Sequence, residues 1–220
     1  MTKRPLQIRV MPLESVLNWM TNLKCLTVLS GQKVFWLESG ASKTSTKMAT
    51  FSMSLGTYNL HGWNQGSPYL RELLLEYDVI CVQEHWLGSH DGHKLINLND
   101  DFTVIVSFAV DYILGNGVLK GRPFGGVAIF IRNAIINELK IVYKNDRVIV
   151  VQLNNILICN VYMPCSDNEL FISVLGSLSD VVISNNEQCD HCILSGDFNC
   201  RFLVSDPLYN VLDVFIKACN

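Results

Sequence analysis

Five polar side chains stand at or just beyond the ends of apolar, strand-like runs. Asn59 closes FSMSLGTYN (51–59), Glu84 closes DVICVQE (78–84), Tyr162 lies near the end of ILICNVYM (156–163), and Asp197 closes HCILSGD (191–197) with Asn199 just beyond it. At a strand end a side chain leaves the core while its backbone stays rigid, and ligand crevices of α/β sheets form there. Two carboxylates brought together at such an edge make a hard-cation site suited to Mg²⁺ or Mn²⁺. A cation so held polarises a phosphoryl oxygen, and a second carboxylate can activate a water. Amides and a phenol at the rim can donate to the charge that develops on a phosphate. Taken singly, each residue has a plainer reading. A glutamate after a strand is commonly a solvated turn residue, and the aspartate of Gly196-Asp197-Phe198-Asn199 suits an Asx turn. The combination is more specific than its members.

The elements that must hold these residues alternate from position 51 onward. After the first strand, Ser67 and Pro68 read as the N-cap and first position of a helix, with Leu70, Leu73, Leu74 and Tyr77 on one face. FTVIVSF (102–108), GVAIFIR (126–132), RVIVVQL (147–153) and ILICNVYM (156–163) are further strands, the last two flanking an Asn154-Asn155 hairpin turn. Ser166 and Glu169 form a capping-box pattern before a helix bearing Phe171, Val174, Leu175, Leu178 and Val182. Asp206-Pro207 opens a last helix with Leu208, Val211, Leu212, Phe215 and Ile216 at helical spacing. Helices mixed with apolar, partly hairpin-joined strands predict an α/β or α+β domain with helices covering sheets.

The chain has 220 residues, 49% hydrophobic and 17% charged, a composition that excludes disorder for most of its length. No uncharged apolar stretch reaches the length that spans a bilayer, so no membrane role is expected. The charge is unevenly divided. Residues 1–50 carry seven basic and two acidic residues, and 39–50 (SGASKTSTKMAT) is polar and linker-like. We expect 1–50 to be a basic, poorly ordered extension without sustained periodicity, and 51–220 to be the folded domain. The latter carries ten basic and eighteen acidic residues, a net charge of −8 that disfavours strong non-specific phosphate binding. Pro12, Glu14, Asn18, Asn22 and Lys24 interrupt any secretory signal, so an intracellular chain with reduced thiols is expected.

Five segments in order carry a family resemblance: Thr57-Tyr58-Asn59-Leu60-His61-Gly62, Val82-Gln83-Glu84-His85-Trp86-Leu87, Gly125-Gly126-Val127-Ala128-Ile129-Phe130, Asn160-Val161-Tyr162-Met163-Pro164 and Leu194-Ser195-Gly196-Asp197-Phe198-Asn199. Together, over about 51–220, they resemble the endonuclease/exonuclease/phosphatase family. Gln83-Glu84-His85-Trp86-Leu87 and Arg122-Pro123-Phe124-Gly125-Gly126-Val127 tilt the likeness toward the apurinic-type endonuclease domains of non-LTR retrotransposons, which are associated with reverse transcriptases. The resemblance implies an α+β fold: a four-layer α/β sandwich, two packed mixed β-sheets flanked by helices, incomplete here at the C-terminus. It implies a Mg²⁺- or Mn²⁺-dependent hydrolase in which water attacks a phosphodiester of DNA. Carried onto this sequence, Glu84 is the principal metal ligand, supported by Asn59. Asp197 orients or deprotonates the water, Asn199 contacts the phosphate, and Tyr162 is the active-site phenol. A nuclear location agrees with such a role, and no obligate protein partner is implied.

Departures from the family pattern set the alternatives. His61 stands where the apurinic branch has a carboxylate, and imidazole is a poorer Mg²⁺ ligand. Cys165 replaces a common asparagine, and none of the five histidines lies in the family's terminal Ser-Asp-His context. An inactive, truncated fragment therefore stands beside the endonuclease reading, as does a member acting on RNA or phospholipid phosphates. His85, His90 and His93 are expected to be solvated loop residues, and Cys189, His191, Cys192 and Cys200 lack the second Cys-x-x-Cys of a structural zinc site. The glycines at 115, 117, 121, 125 and 126 precede no Gly-Lys-Ser/Thr and read as loop. Trp63 and Trp86 suit either base stacking or packing.

Overall fold

The computed structural model describes residues 26–30, 33–38, 52–115, 124–165, 167–185, 188–201, 203 and 205–218. Two five-stranded mixed sheets dominate it. The first contains β1 (Leu26–Ser30), β7 (Leu139–Lys144), β8 (Val148–Leu153), β9 (Ile156–Tyr162) and β10 (His191–Asp197), in the order β1-β10-β9-β8-β7. The second contains β2 (Lys33–Glu38), β3 (Ser52–Asn59), β4 (Val79–Gln83), β5 (Phe102–Ser107) and β6 (Val127–Arg132), in the order β2-β3-β4-β6-β5. Parallel pairs lie at β1–β10, β10–β9 and β3–β4, and the other neighbours are antiparallel.

The period-two pattern of the strands builds the layers. In β4, Val79 and Cys81 face the other sheet while Ile80 and Val82 face α1 (Trp63–Glu76); β6 divides Val127, Ile129 and Ile131 from Ala128 and Phe130 in the same way. On the partner sheet, Ile149, Val151, Ile156 and Ile158 meet them across the centre. Val148, Val150, Leu157 and Cys159 pack outward against Phe171, Leu175 and Leu178 of α4 (Asn168–Asn185) and Leu212 and Phe215 of α5 (Pro207–Ala218). The order helix, sheet, sheet, helix is the four-layer sandwich that the resemblance implied. Two short helices, α2 (His93–Ile96) and α3 (Ala109–Gly115), lie among the connections. Among the described residues no helix is long and apolar enough to cross a membrane.

Three local expectations change. The first helix begins at Trp63, leaving Ser67 and Pro68 inside it, because Gly62 N–H and Trp63 N–H already bond the Glu84 and His85 carbonyls at 2.8 and 3.1 Å. These tertiary bonds start the helix before the proline signal does. At α4, Ser166 lies outside the described residues; Asp167 Oδ1 accepts the Leu170 N–H at 2.9 Å and caps the helix. Within 1–50, where no sustained period was expected, β1 and β2 add one edge strand to each sheet by backbone pairing with β10 and β3.

Candidate functional site

Four strands deliver their C-terminal ends to one edge of the sandwich. Asn59 lies opposite Gln83, and Asp197 opposite Tyr162. Strand alternation places Asn59, Tyr162 and Asp197 on the inter-sheet face, continuing Met53-Leu55-Thr57, Ile156-Ile158-Asn160 and Ile193-Ser195. Glu84 comes one residue too late for that face. Its φ of 56° breaks the alternation, and its carboxylate joins the others. Asn59 Nδ2 then donates to both acids, 2.6 Å from Glu84 Oε1 and 2.8 Å from Asp197 Oδ2. Asn59 Oδ1 accepts the His61 N–H at 3.0 Å, which fixes the amide's orientation.

The side chains of Asn59, Glu84 and Asp197 therefore meet, with Tyr162 on the same face, while Asn199 joins them through its backbone only. Trp86 Nε1–H donates to Glu84 Oε2 at 3.1 Å, and the Asn199 N–H to Asp197 Oδ1 at 3.1 Å. The Asn199 side chain is turned to the Met163 carbonyl, 2.7 Å away, rather than to the acids. Burial, reinforced by the negative charges of Glu84 and Asp197, pushes the Tyr162 phenol well above its ordinary range; Arg147 opposes the shift. The phenol therefore stays protonated at neutral pH. His61, the departure from the family pattern, has its imidazole Nδ1 3.9 Å from Glu84 Oε1 and its side chain mostly in solvent.

Backbone strain gathers around the same groups. Among the described residues the non-glycine positions with positive φ are His61, Glu84, Trp86, Asn199 and the hairpin Asn154. Such conformations persist only where the surroundings impose them. Here the Trp86 N–H is tied to the Gly125 carbonyl at 3.1 Å, and His85 anchors the loop from below. His85 is fully buried, which corrects the expectation of a solvated residue. Its Nδ1 accepts the Leu87 N–H and its Nε2 bonds the Ser107 carbonyl, both at 3.0 Å, so the ring is the neutral Nε2–H tautomer. Burial lowers its pKa to about 4. Gly126, at φ 86°, leaves room for that ring: a Cβ there would stand 2.4 Å from His85 Cε1. His90 and His93 are exposed, as expected.

Directly beneath the acids, a buried amide pair joins the two sheets. Gln83 Nε2 donates to Asn160 Oδ1 at 2.6 Å, and Asn160 Nδ2 to the Val82 and Ala128 carbonyls at 2.9 Å each. This strut, the bond from the Trp86 indole to Glu84 and the guanidinium of Arg147 are the parts that sequence reasoning missed. Arg147 lies 5.5 Å from the Tyr162 ring centre and donates to the Tyr162 carbonyl at 3.4 Å. Asn160 carried a usable signal, a lone amide in the apolar run Ile156-Leu157-Ile158-Cys159-Asn160-Val161. Glu84 and Asp197 offer carboxylate oxygens to a hard cation, whereas the Asn59 amide oxygen is turned to the His61 N–H; among the described residues, no three His, Cys, Asp or Glu side chains form a metal-binding group.

Comparison with known proteins agrees with this architecture. The structure is similar to the 3′ phosphatase NExo from Neisseria bound to product DNA hairpin, with a TM-score of 0.58 and 15% identity over 76% of this chain and 71% of that one. It is similar to the AP endonuclease LMAP from Leishmania major (TM-score 0.55, 14% identity, 76% and 66% of the two chains). The catalytic domain of APE2 from Xenopus laevis is a third (TM-score 0.54, 17% identity, 73% and 67%). No curated protein sequence matches. At these identities the structural likeness shows the fold, and membership comes from the sequence profile that matches residues 56–203, more than half of the chain. The chain belongs to the Endonuclease/Exonuclease/phosphatase family.

Proposed function

We propose that this protein is a divalent-metal-dependent phosphodiesterase that nicks DNA, of the type encoded by non-LTR retrotransposons. The observation that carries the reading is the pair of acids, Glu84 and Asp197, held by the single amide of Asn59. Its structural neighbours include AP endonucleases and a phosphatase bound to product DNA, which makes DNA the first substrate to test. The retroelement branch rests on Gln83-Glu84-His85-Trp86-Leu87 and on Arg122 to Val127.

The donor chemistry suits Mg²⁺ or Mn²⁺, because hard cations take carboxylate and amide oxygens and Mg²⁺ commonly uses one or two carboxylates with water completing its shell. Glu84 is the carboxylate that would hold the ion, with Asn59 fixing its geometry. When bound, such an ion polarises the phosphoryl oxygen and lowers the charge the attacking water meets. Asp197, anchored through Asn59 and the Asn199 N–H, is placed to accept the water's proton. Tyr162, kept protonated, would donate to a phosphate oxygen. Asn199, whose half-buried amide now bonds the Met163 carbonyl, must release it to contact the phosphate.

Nicking of supercoiled plasmid in Mg²⁺ or Mn²⁺ tests the reading. Glu84→Ala and Asp197→Ala should each lower the rate about a hundredfold to a thousandfold. Unchanged nicking in both variants would remove these roles. The net charge of −8 on residues 51–220 favours one rival, a family member acting on RNA or phospholipid phosphates. Parallel assays on DNA, RNA and phospholipid separate the two, since each predicts a different preferred substrate.

A further inference from the structure

A groove of about 510 Å³ opens directly beside Glu84, lined by Trp63, Asn64, Gln65, Trp86, His61 and Lys94 among others. That volume lies in the range that encloses small organic groups. We infer that it receives one nucleobase of the substrate strand, adjacent to the phosphate under attack. The inference rests on the phosphodiesterase reading of the acid pair and names what lies next to it.

Continuity with the acids is the first argument. Two residues of the groove wall touch Glu84 itself: Trp86 through its Nε1–H at 3.1 Å and His61 at 3.9 Å. A group in the groove is therefore a neighbour of any phosphate at the acids. Charge is the second argument. Lys94, the cation of the groove, is spent on Asp91 at 2.6 Å, and Asp91 lines the groove as well. The groove consequently offers a phosphate no net positive charge. What it offers are two indoles and, at the exposed start of α1, the amides of Asn64 and Gln65. Aromatic faces bind bases of any sequence, and side-chain amides can pair with base edges.

The indole of Trp86 is well prepared for this role. Its N–H is committed to Glu84, and its six-membered ring lies so close to Gly62 that a Cβ there would stand 2.4 Å from Cε3. The ring cannot swing away without breaking the bond to the acid, so a stacked base would find its platform already in place. Such preorganisation lowers the cost of ordering on binding.

Binding to the full chain in EDTA tests the inference without turnover. The probe is a short labelled single-stranded oligodeoxynucleotide, compared with an abasic strand of equal length and charge. Wild type should bind the base-bearing strand about fivefold to a hundredfold more tightly. Trp63→Leu and Trp86→Leu, which keep an apolar side chain without a ring, should shrink that ratio, and Trp63→Phe and Trp86→Phe should retain most of it. Thermal melts establish that each variant is folded, and the Leu–Phe comparison remains informative if all are weakened alike. Equal affinity of wild type for the two strands, or a ratio preserved in both Leu variants, would overturn the inference. Displacement of the strand by a free nucleoside monophosphate at similar concentration would overturn it in favour of a small-nucleotide pocket. A lost ratio with nicking still dependent on Glu84 removes the base subsite alone; a preserved ratio with nicking indifferent to Glu84 and Asp197 removes the phosphodiesterase reading alone.

Discussion

The two ends of β4 hold acids in opposite ways. At its start, Asp78 is fully answered: Arg132 Nε donates to Oδ1 at 3.1 Å, and the Ser54 N–H and Oγ–H donate to Oδ2 at 3.0 and 2.8 Å. Arg132 also bonds the Leu74 and Tyr77 carbonyls and stacks 4.7 Å over the Phe102 ring. At the other end, Glu84 and Asp197 share the neutral amide of Asn59, and Arg147 is turned to the Tyr162 carbonyl. One end cancels its charge and fastens helix α1 to the sheet. The other assembles negative charge across two sheets, and among the described residues no lysine or arginine is paired with it, an arrangement that suits a bound cation. The paired acid and the proposed catalytic acids thus stand at opposite ends of a strand of five residues.

The sharpest way to break the functional end is from beneath. Asn160→Leu removes the donor of the Val82 and Ala128 carbonyls and the acceptor of Gln83 Nε2, all in the inter-sheet layer. Gln83 Nε2 keeps Thr57 Oγ1 and the Cys81 carbonyl, but the lost bonds to the Val82 and Ala128 carbonyls cost about 1–3 kcal/mol each, so a loss of about 4 kcal/mol is expected in urea unfolding. Gln83→Leu combined with Asn160→Leu should cost less than the two single changes together, because both halves of the bond then become apolar. Additive losses would mean that the amide pair does not act as one strut.

Acid should loosen the same end selectively. His85 is neutral when folded, with its pKa lowered to about 4 from the model-compound value of 6.5. Below pH 6.5 the unfolded chain takes up a proton that the folded chain refuses until about pH 4, so stability falls as pH falls through this window. At 1.4 kcal/mol per pH unit the full effect is about 3 kcal/mol. It should be largely absent in His85→Gln, as read from unfolding midpoints between pH 7 and pH 4. At the cancelled end, Asp78→Ala should cost about 2 kcal/mol at neutral pH, since charge-assisted bonds are lost at a partly exposed site. Nicking should survive this change, which sets it apart from Asn160→Leu.

How much of this the sequence discloses depends on whether the cause is local. The apolar alternation of Val79 to Gln83 and Ile156 to Tyr162 disclosed strands and their faces, because each residue reports its own burial. Asn59, Tyr162 and Asp197 were legible for the same reason: they continue that alternation at a strand end. β7 was missed because it lies at an edge with little buried alternation, and Ile141 is 52% exposed. His85 was misread because polarity suggests solvent, whereas the neighbouring Leu87 N–H and the distant Ser107 carbonyl satisfy its ring. The early start of α1 likewise depends on the Glu84 and His85 carbonyls, which no helix signal within 62–68 encodes.

The smallest expected effect makes the most direct use of the contrast between the two ends. A cation that binds the folded chain stabilises it by an amount set by its concentration over its dissociation constant, about 1 kcal/mol when the ion is present at several times that constant. Uncancelled acids should show this gain and cancelled ones should not. Melting of wild type should therefore rise modestly with added Mg²⁺ or Mn²⁺, with no substrate present. Glu84→Gln should abolish the rise, because the carboxylate with the direct claim on the ion becomes neutral while its side-chain size is kept. Asp78→Asn should leave the rise intact, since that acid is already committed to Arg132 and Ser54. An equal rise in wild type and Glu84→Gln would place the cation elsewhere and remove Glu84 as its ligand, whatever the nicking assay reports.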